Sequence, residues 1–237
     1  MGTLYLVGTP IGNLEDISLR ALRVLREVSL IAAEDTRRAR ILTTRYGIHT
    51  PVTSYFEGNK LVKLETILST LEGSDVAVIS EAGMPGLSDP GYELVRTAIE
   101  RGYPVACVPG PSAPITALVL SGLPTDSFVY LGFLPRRRQE RRALLAEVAR
   151  ERRTLIAFEA PHRLCASLAD IEDTLGDRPL VVCRELTKLH EEVWRGTVSE
   201  ARTYFGTSRP RGEITLVIGG APRTGDRWDQ TQVQAMM

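Results

Sequence analysis

The chain has 237 residues, and its 29 Lys plus Arg balance 29 Asp plus Glu, so the formal net charge is zero. Apolar residues make up 43% and charged residues 24%, which excludes a disordered or collagen-like chain. The length allows one large domain or two of roughly 110 residues each. No stretch approaches the ~20 continuous apolar residues of a membrane helix. The N-terminal MGTLYLVGTP lacks the charged start of a signal peptide, and Leu6 stands where a myristoylation motif needs Ser or Thr. The reading is a cytoplasmic protein without membrane contact. The neutral balance argues against nucleic-acid binding by bulk charge. Cys107, Cys165 and Cys183 are odd in number, scattered and without metal-ligand spacing, and are expected to be buried thiols in a reducing compartment.

Short apolar runs alternate with amphipathic helical stretches. Leu4 to Val7 reads as a strand. Residues 18–28 place Leu19, Leu22, Leu25 and Val28 on one face and Arg20, Arg23 and Arg26 on another, a helical period. A strand at Leu30 to Ala33 precedes an Arg-rich helix from Thr36 to about Arg45, and a further helix covers about 60–72. Strand 76–79 leads into SEAGMPGLSDPG, where Asp89 and Pro90 suit the start of a helix running to about Arg101. Val105 to Val108 is a strand broken by Pro109-Gly110-Pro111, and Ser112 can cap the helix that follows. This alternation predicts α/β architecture with a largely parallel sheet.

Gly122 to Asp126 reads as a domain linker, and the pattern then restarts. Strands are expected at 128–131, 154–158, 180–183, 191–195 and 213–218. Helices are expected at 138–152, 162–175 and 198–205. The organisation is two α/β domains, 1–121 and 122–221, with a flexible tail at 222–237.

Three glycine- and proline-rich loops each follow a strand: Gly8 to Asn13, Ser80 to Gly91, and Pro109 to Ala113. In open α/β sheets, ligands lie beyond the carboxyl ends of strands, where such loops gather. Glycine lets backbone approach a ligand and proline stiffens the path. Gly8 and Gly12 do not fit a dinucleotide fingerprint, and no Gly-Lys-Ser/Thr phosphate loop occurs. His49, His162 and His190 are too far apart for metal spacing, and no Gly-x-Ser-x-Gly elbow exists. No metal is expected.

The runs LYLVGTPIGNLEDISLRALRVL, LIAAEDTRRARILTTRYGI, SEAGMPGLSDPGYELVR, PGPSAPITALVLSGLP, GFLPRR, RELTK and GEITLVI follow one another in this order. Together they resemble the ribosomal RNA small-subunit methyltransferase I family, a branch of the tetrapyrrole-methylase superfamily. The likeness runs from about Leu4 to about Gly219, and TPIGNLEDI, AEDTR and RELTK mark this branch. The resemblance implies two α/β domains of the tetrapyrrole-methylase type with S-adenosylmethionine in a cleft between them. It also implies a homodimer acting on 16S ribosomal RNA in the small subunit, where the acceptor would be the ribose 2′-hydroxyl of cytidine 1402.

Carried over by motif, the resemblance assigns Pro10 and Ile11 to the first cofactor loop. Glu81, Ala82, Gly83 and Met84 match the second, and Ser112 and Ala113 the third. Phe158, with Glu213 and Ile214, would line the adenine side. Asn13, Glu34, Thr36, Arg37, Arg136 and Arg137 would face the RNA. Three departures stand out: Glu81 replaces the usual Asp, Gly86 replaces a non-glycine residue, and Ser54 to Asn59 lacks the histidines often found there.

Methyl transfer from a sulfonium needs alignment within about 3–3.5 Å and a dry site, and no metal. A ribose hydroxyl is a poor nucleophile, so a base or cation would assist it. The candidates are Asp35 in AEDTR and Arg184, Glu185 and Lys188 in RELTK. Only three of the 29 cations are lysines, which singles out Lys188. It would activate the acceptor as cation or base with Arg184, while Asp35 and Glu185 position the pair. Asp35 as a plain helix cap is the simpler alternative. Arg136, Arg137, Arg138, Arg141 and Arg142 form the densest basic patch, read either as a solvated helix start or as an RNA contact. A tetrapyrrole methyltransferase and a non-catalytic, cofactor-binding ribosome-assembly factor remain the alternative readings.

Overall fold

A computed structural model describes residues 1–87, 91–207 and 210–222, so the expected helix start at Asp89–Pro90 and the tail beyond Pro222 lie outside the described residues. The chain forms two compact units, Met1–Ser112 and Ala113–Met237.

The first unit runs β1 (Leu4–Val7), α1 (Leu19–Glu27), β2 (Leu30–Ala33), α2 (Thr36–Arg45), β3 (Val52–Ser54), α3 (Lys60–Leu71), β4 (Val76–Ile79), α4 (Gly91–Glu100) and β5 (Val105–Val108). Its strands pair in parallel throughout, in the order β3-β2-β4-β1-β5. Successive side chains of a strand point to opposite faces, and the core divides accordingly. Val7, Ile31, Ala33, Ala77 and Ile79 pack against α1 and α2, whereas Leu4, Ala32, Val76 and Val78 pack against α3 and α4. Both faces are thus covered, as an all-parallel sheet requires. The inward face of α1 is Ala21, Leu22, Val24 and Leu25; Leu19, expected inside, is 87% exposed in the first turn. β3 has only three half-buried residues at the sheet edge, too short a pattern to stand out in the sequence.

The second unit runs α5 (Ala113–Ser121), β6 (Phe128–Phe133), α6 (Arg138–Glu147), β7 (Thr154–Glu159), α7 (Leu164–Leu175), β8 (Pro179–Arg184), β9 (Glu192–Thr197), α8 (Val198–Gly206) and β10 (Ile214–Ile218). The sheet order is β6-β7-β10-β8-β9. Only β6 and β7 are parallel; β10 lies antiparallel between β7 and β8, and β8 pairs antiparallel with β9. The expectation of a largely parallel sheet therefore fails in this unit. β10 comes last in sequence and enters the middle of the sheet from the opposite end, an arrangement no local pattern encodes. Leu155, Ala157, Leu180, Val182, Leu216 and Ile218 form its core with residues of α6, α7 and α8.

α5 belongs to this unit, nine residues before the linker read from the sequence at 122. It packs on β10, β7 and β9, and its Leu120 carbonyl accepts a hydrogen bond from Arg195 on β9. α6 ends at Glu147 rather than near 152, because the buried Arg178 guanidinium takes the Ala149 carbonyl at 2.6 Å and turns the chain. Of the cysteines only Cys183 is buried, with burial pushing its thiol up to about 12; Cys107 and Cys165 are exposed, contrary to expectation. No helix among the described residues is long and apolar enough to cross a membrane.

Candidate active site

In the first unit, β4, β1 and β5 are neighbours, so the three glycine-rich loops leave adjacent strand ends. The first two are joined by a two-way backbone bridge: Thr9 N donates to Gly83 O (2.9 Å) and Gly83 N to Thr9 O (3.1 Å). The first and third touch backbone to backbone. A Cβ on Gly8 would lie 2.7 Å from Gly110 Cα and 2.6 Å from Met84 Sδ, and one on Gly110 would lie 2.9 Å from Gly8. Gly83 has φ +84°, a conformation reserved for glycine. Ile11 is buried beneath this junction, with its Cγ2 3.4 Å from where a Gly83 Cβ would stand. Pro10, Met84 and Ser112 of these loops are half-buried and Ala82 is exposed; Ala113, half-buried, begins the second unit. The result is a junction of three strand-end loops packed backbone to backbone, a place where a ligand can approach main chain rather than side chains.

AEDTR follows β2 at the same end of the sheet. Glu34 Oε2 accepts the Glu81 amide at 3.0 Å, and Arg38 holds the Glu81 carboxylate at 2.8 Å. The longer Glu in place of Asp is therefore tied to α2. Asp35 is the N-cap of α2, accepting from Arg37 N at 2.8 Å and Arg38 N at 3.4 Å. The Arg37 guanidinium at 2.9 Å and these amides hold its carboxyl at about 2. Its position is that of a cap, and Thr36 is the first helical residue behind it. Asn13 likewise caps the short turn Leu14–Asp16 through Glu15 N. Gly86 has φ +86°, so the departure from a larger residue suits the turn it makes. Asn59 closes the Ser54–Asn59 loop onto Phe56 N (2.8 Å) and Ser54 Oγ (2.9 Å).

In the second unit, antiparallel pairing brings the end of β8 beside the starts of β10 and β9 and the end of β7. Arg184 pairs in register with Ile214 and Glu192, and Ile214 with Glu159. RELTK makes the turn after β8. Lys188 Nζ lies 2.8 Å from Glu185 Oε1 and 3.2 Å from Glu213 Oε2, and Glu185 Oε1 also accepts Glu213 N at 2.9 Å. Burial works to lower the Lys188 ammonium, but the two carboxylates outweigh it and hold its pKa above the ordinary lysine value. Burial likewise raises Glu185, and Lys188 with the Glu213 amide reverses that. Lys188 is a fixed cation here, held by Glu185 and Glu213.

Glu185 and Thr187 have φ of +52° and +66°, and the Thr187 hydroxyl is buried without a partner among the described residues. Such strain costs of order 1–3 kcal/mol per residue and collects at functional sites. Gly212, φ +89°, makes room: a Cβ there would fall 2.3 Å from the Glu185 carboxylate. Arg184 is bound to Glu192 (2.8 Å) and the Arg211 carbonyl (3.3 Å), which fixes the strand ends rather than leaving the guanidinium free.

Phe158, near the end of β7, meets Phe133 and Tyr130 at ring-centroid distances of 5.1 and 5.5 Å. The sequence reading passed over Phe133, Tyr130, Thr187, Gly212 and Glu159. Glu159, fully buried, holds Arg163 at 2.6 Å, the Ala160 amide at 2.7 Å and Ser167. A carboxylate ending the apolar run TLIAFE was the available signal. The Arg patch divides. Arg141 is buried and pairs with the buried Asp170, which Arg138 also binds; Arg142 pairs with Asp173. Arg137 reaches only Glu140, and Arg136 makes no ion pair among the described residues. No group of His, Cys, Asp and Glu placed to hold a metal occurs among the described residues.

The sequence model of the family described as Tetrapyrrole (Corrin/Porphyrin) Methylases matches residues 3–202, and the protein is of that class. The fold is similar to cobalt precorrin-4 methyltransferase (TM-score 0.69, 19% identity, 92% of this chain and 94% of the other). It is also similar to uroporphyrin-III-C-methyltransferase from Thermus thermophilus (TM-score 0.63, 23% identity, 92% and 94%). Two curated relatives are named Ribosomal RNA small subunit methyltransferase I. The protein of Thermotoga maritima is 50% identical over 93% of this chain and 99% of its own length. That of Bacillus subtilis is 44% identical over 93% and 76%. The chain belongs to the ribosomal RNA small subunit methyltransferase I family, and it is a methyltransferase that uses S-adenosylmethionine.

Proposed function

We propose that this protein methylates the ribose 2′-hydroxyl of a cytidine in 16S ribosomal RNA of the small subunit. The observation that carries this reading is the 44–50% identity to relatives named for ribosomal RNA over nearly the whole chain. The branch motifs AEDTR and RELTK, both built into strand-end turns, support it further.

The loop junction fits the cofactor. Gly8, Gly83 and Gly110 let the three loops close on one another and keep side chains off this backbone surface, and the cofactor lies against it with Pro10, Ile11, Glu81, Ala82, Met84, Ser112 and Ala113 around it. When bound, S-adenosylmethionine supplies a methyl carbon on a positively charged sulfur. The chain's own contribution is alignment and charge. Phe158 offers a ring face to the adenine, with Glu213, just before β10, at the same end of the sheet. Lys188 Nζ, protonated, donates a hydrogen bond to the 2′-oxygen and stabilises the negative charge that develops there as the hydroxyl proton passes to solvent water. The base role would need a neutral amine, which the two carboxylates oppose. Arg136 and Arg137 meet the RNA backbone, with Asn13, Glu34, Thr36 and Arg37 at the edge of the first unit. The protein works as a homodimer in the cytoplasm, a state that sedimentation would read directly.

The test is transfer from labelled S-adenosylmethionine to small subunits lacking the modification, followed by digestion to nucleosides. Label in 2′-O-methylcytidine is expected. Cofactor binding with no label in any RNA, or label only in a tetrapyrrole, overturns the reading.

A further inference from the structure

We propose that Phe133, turned out of the core by a β-bulge beside Phe158 and followed by Arg136, which makes no ion pair among the described residues, is the platform on which an unpaired base of the RNA substrate stacks. The inference rests on RNA being the substrate.

β6 reads Phe128-Val-Tyr-Leu-Gly-Phe133. Val129 and Leu131 pack toward the core under α6–α8, so strict alternation would send Phe133 to the same side. The pairing register with β7 instead shifts between Tyr130 and Phe133, and Gly132 within the shift has φ +67°. The irregularity puts Tyr130 and Phe133 together on the face of Phe158. A large apolar ring that the core could have buried is left 59% exposed. Bulges of this kind re-aim side chains next to sites.

The chain after Phe133 is held still. Arg163 Nη1 donates to the Leu134 carbonyl at 3.1 Å, and buried Arg141 donates to the Pro135 carbonyl at 3.2 Å and, more loosely, to that of Arg136 at 3.4 Å. Asp170 and Asp173 pair with Arg138, Arg141 and Arg142, and Glu140 pairs with Arg137, which leaves Arg136 as the cation of this turn that makes no ion pair among the described residues. An exposed ring on a rigid backbone, three residues from the Arg136 guanidinium, matches the chemistry of a splayed-out nucleotide: a flat π-face and a phosphate. A carboxylate-rich or purely apolar partner would leave one of the two features unused.

Phe133→Ala, Phe133→Leu and Phe133→Trp separate stacking from packing. With small subunits as substrate, the alanine and leucine variants should raise KM for RNA about ten-fold or more. KM for S-adenosylmethionine should stay within about two-fold, and tryptophan should restore the wild-type value. An oligonucleotide carrying 2-aminopurine at the acceptor position should be quenched by wild type and Phe133→Trp only. A leucine variant equal to wild type overturns the proposal, as does a raised KM for the cofactor or a loss that tracks a change in oligomeric state. Wild-type protein that binds cofactor and modifies no RNA brings down the functional reading itself, whereas active wild type with an indifferent Phe133→Ala brings down the platform alone.

Discussion

The two units build their candidate sites from different materials. In the first, the walls are main chain: Gly8 against Gly110, Thr9 bridged to Gly83, all at neighbouring ends of a parallel sheet. In the second, the candidate groups are side chains, Lys188 between Glu185 and Glu213, gathered by antiparallel register. A backbone wall depends on the absence of a Cβ and fails abruptly when one is added. A charge cluster depends on distance and partner, and fails by degrees.

The sharpest way to break the contrast is Gly8→Ala, whose Cβ would overlap Gly110 Cα and Met84 Sδ. Overpacking of this kind costs about 1–3 kcal/mol or more, and cofactor binding measured by calorimetry should fall at least a hundred-fold, to near abolition. Wild-type affinity in this variant would refute the loop junction as the cofactor site. Next comes Lys188→Ala, with a loss of about 10²–10³ in kcat, the scale of removing one transition-state charge donor, and unchanged affinity for the cofactor. Because Lys188 stays protonated through the ordinary lysine range, the rate should show no ascending limb that belongs to it. Such a limb, lost in Lys188→Ala, would restore the base assignment.

A stability test comes third. Removing one partner of a buried pair costs roughly 3–5 kcal/mol, so Asp170→Asn should lower the melting temperature markedly. Burial raises the Asp170 carboxyl, but Arg138 and Arg141 outweigh it and hold it below the ordinary 3.8. Its stabilisation is therefore present above about pH 3.8 and lost as pH falls through the folded value. The asparagine variant should show a flatter acid limb, read by denaturation at pH 2–7. The smallest effect belongs to Asp35: alanine should cost about 0.5–2 kcal/mol, serine much less, and turnover should follow stability. A serine variant that is stable yet inactive would give Asp35 a chemical role beyond capping.

The three loops were legible because their demands are local: glycine and proline stand where backbone must approach or turn. The polar motifs were legible as candidates but not as roles. Nothing in AEDTR distinguishes a capping carboxylate from a catalytic one until Arg37 and Arg38 are seen folded onto Asp35. The Arg patch was a single feature in one dimension and two in three, since Asp170 and Asp173 lie about thirty residues away on α7.

The sequence by itself determined the alternation of elements, the two α/β units and the glycine-rich loops at the strand ends, since hydrophobic period and turn chemistry are properties of neighbouring residues. Only the tertiary structure decided that β10 enters the second sheet antiparallel, that Glu213 thereby reaches Lys188, and that a bulge at Gly132 exposes Phe133. Those outcomes rest on strand register between distant segments, which is set by packing the whole sheet.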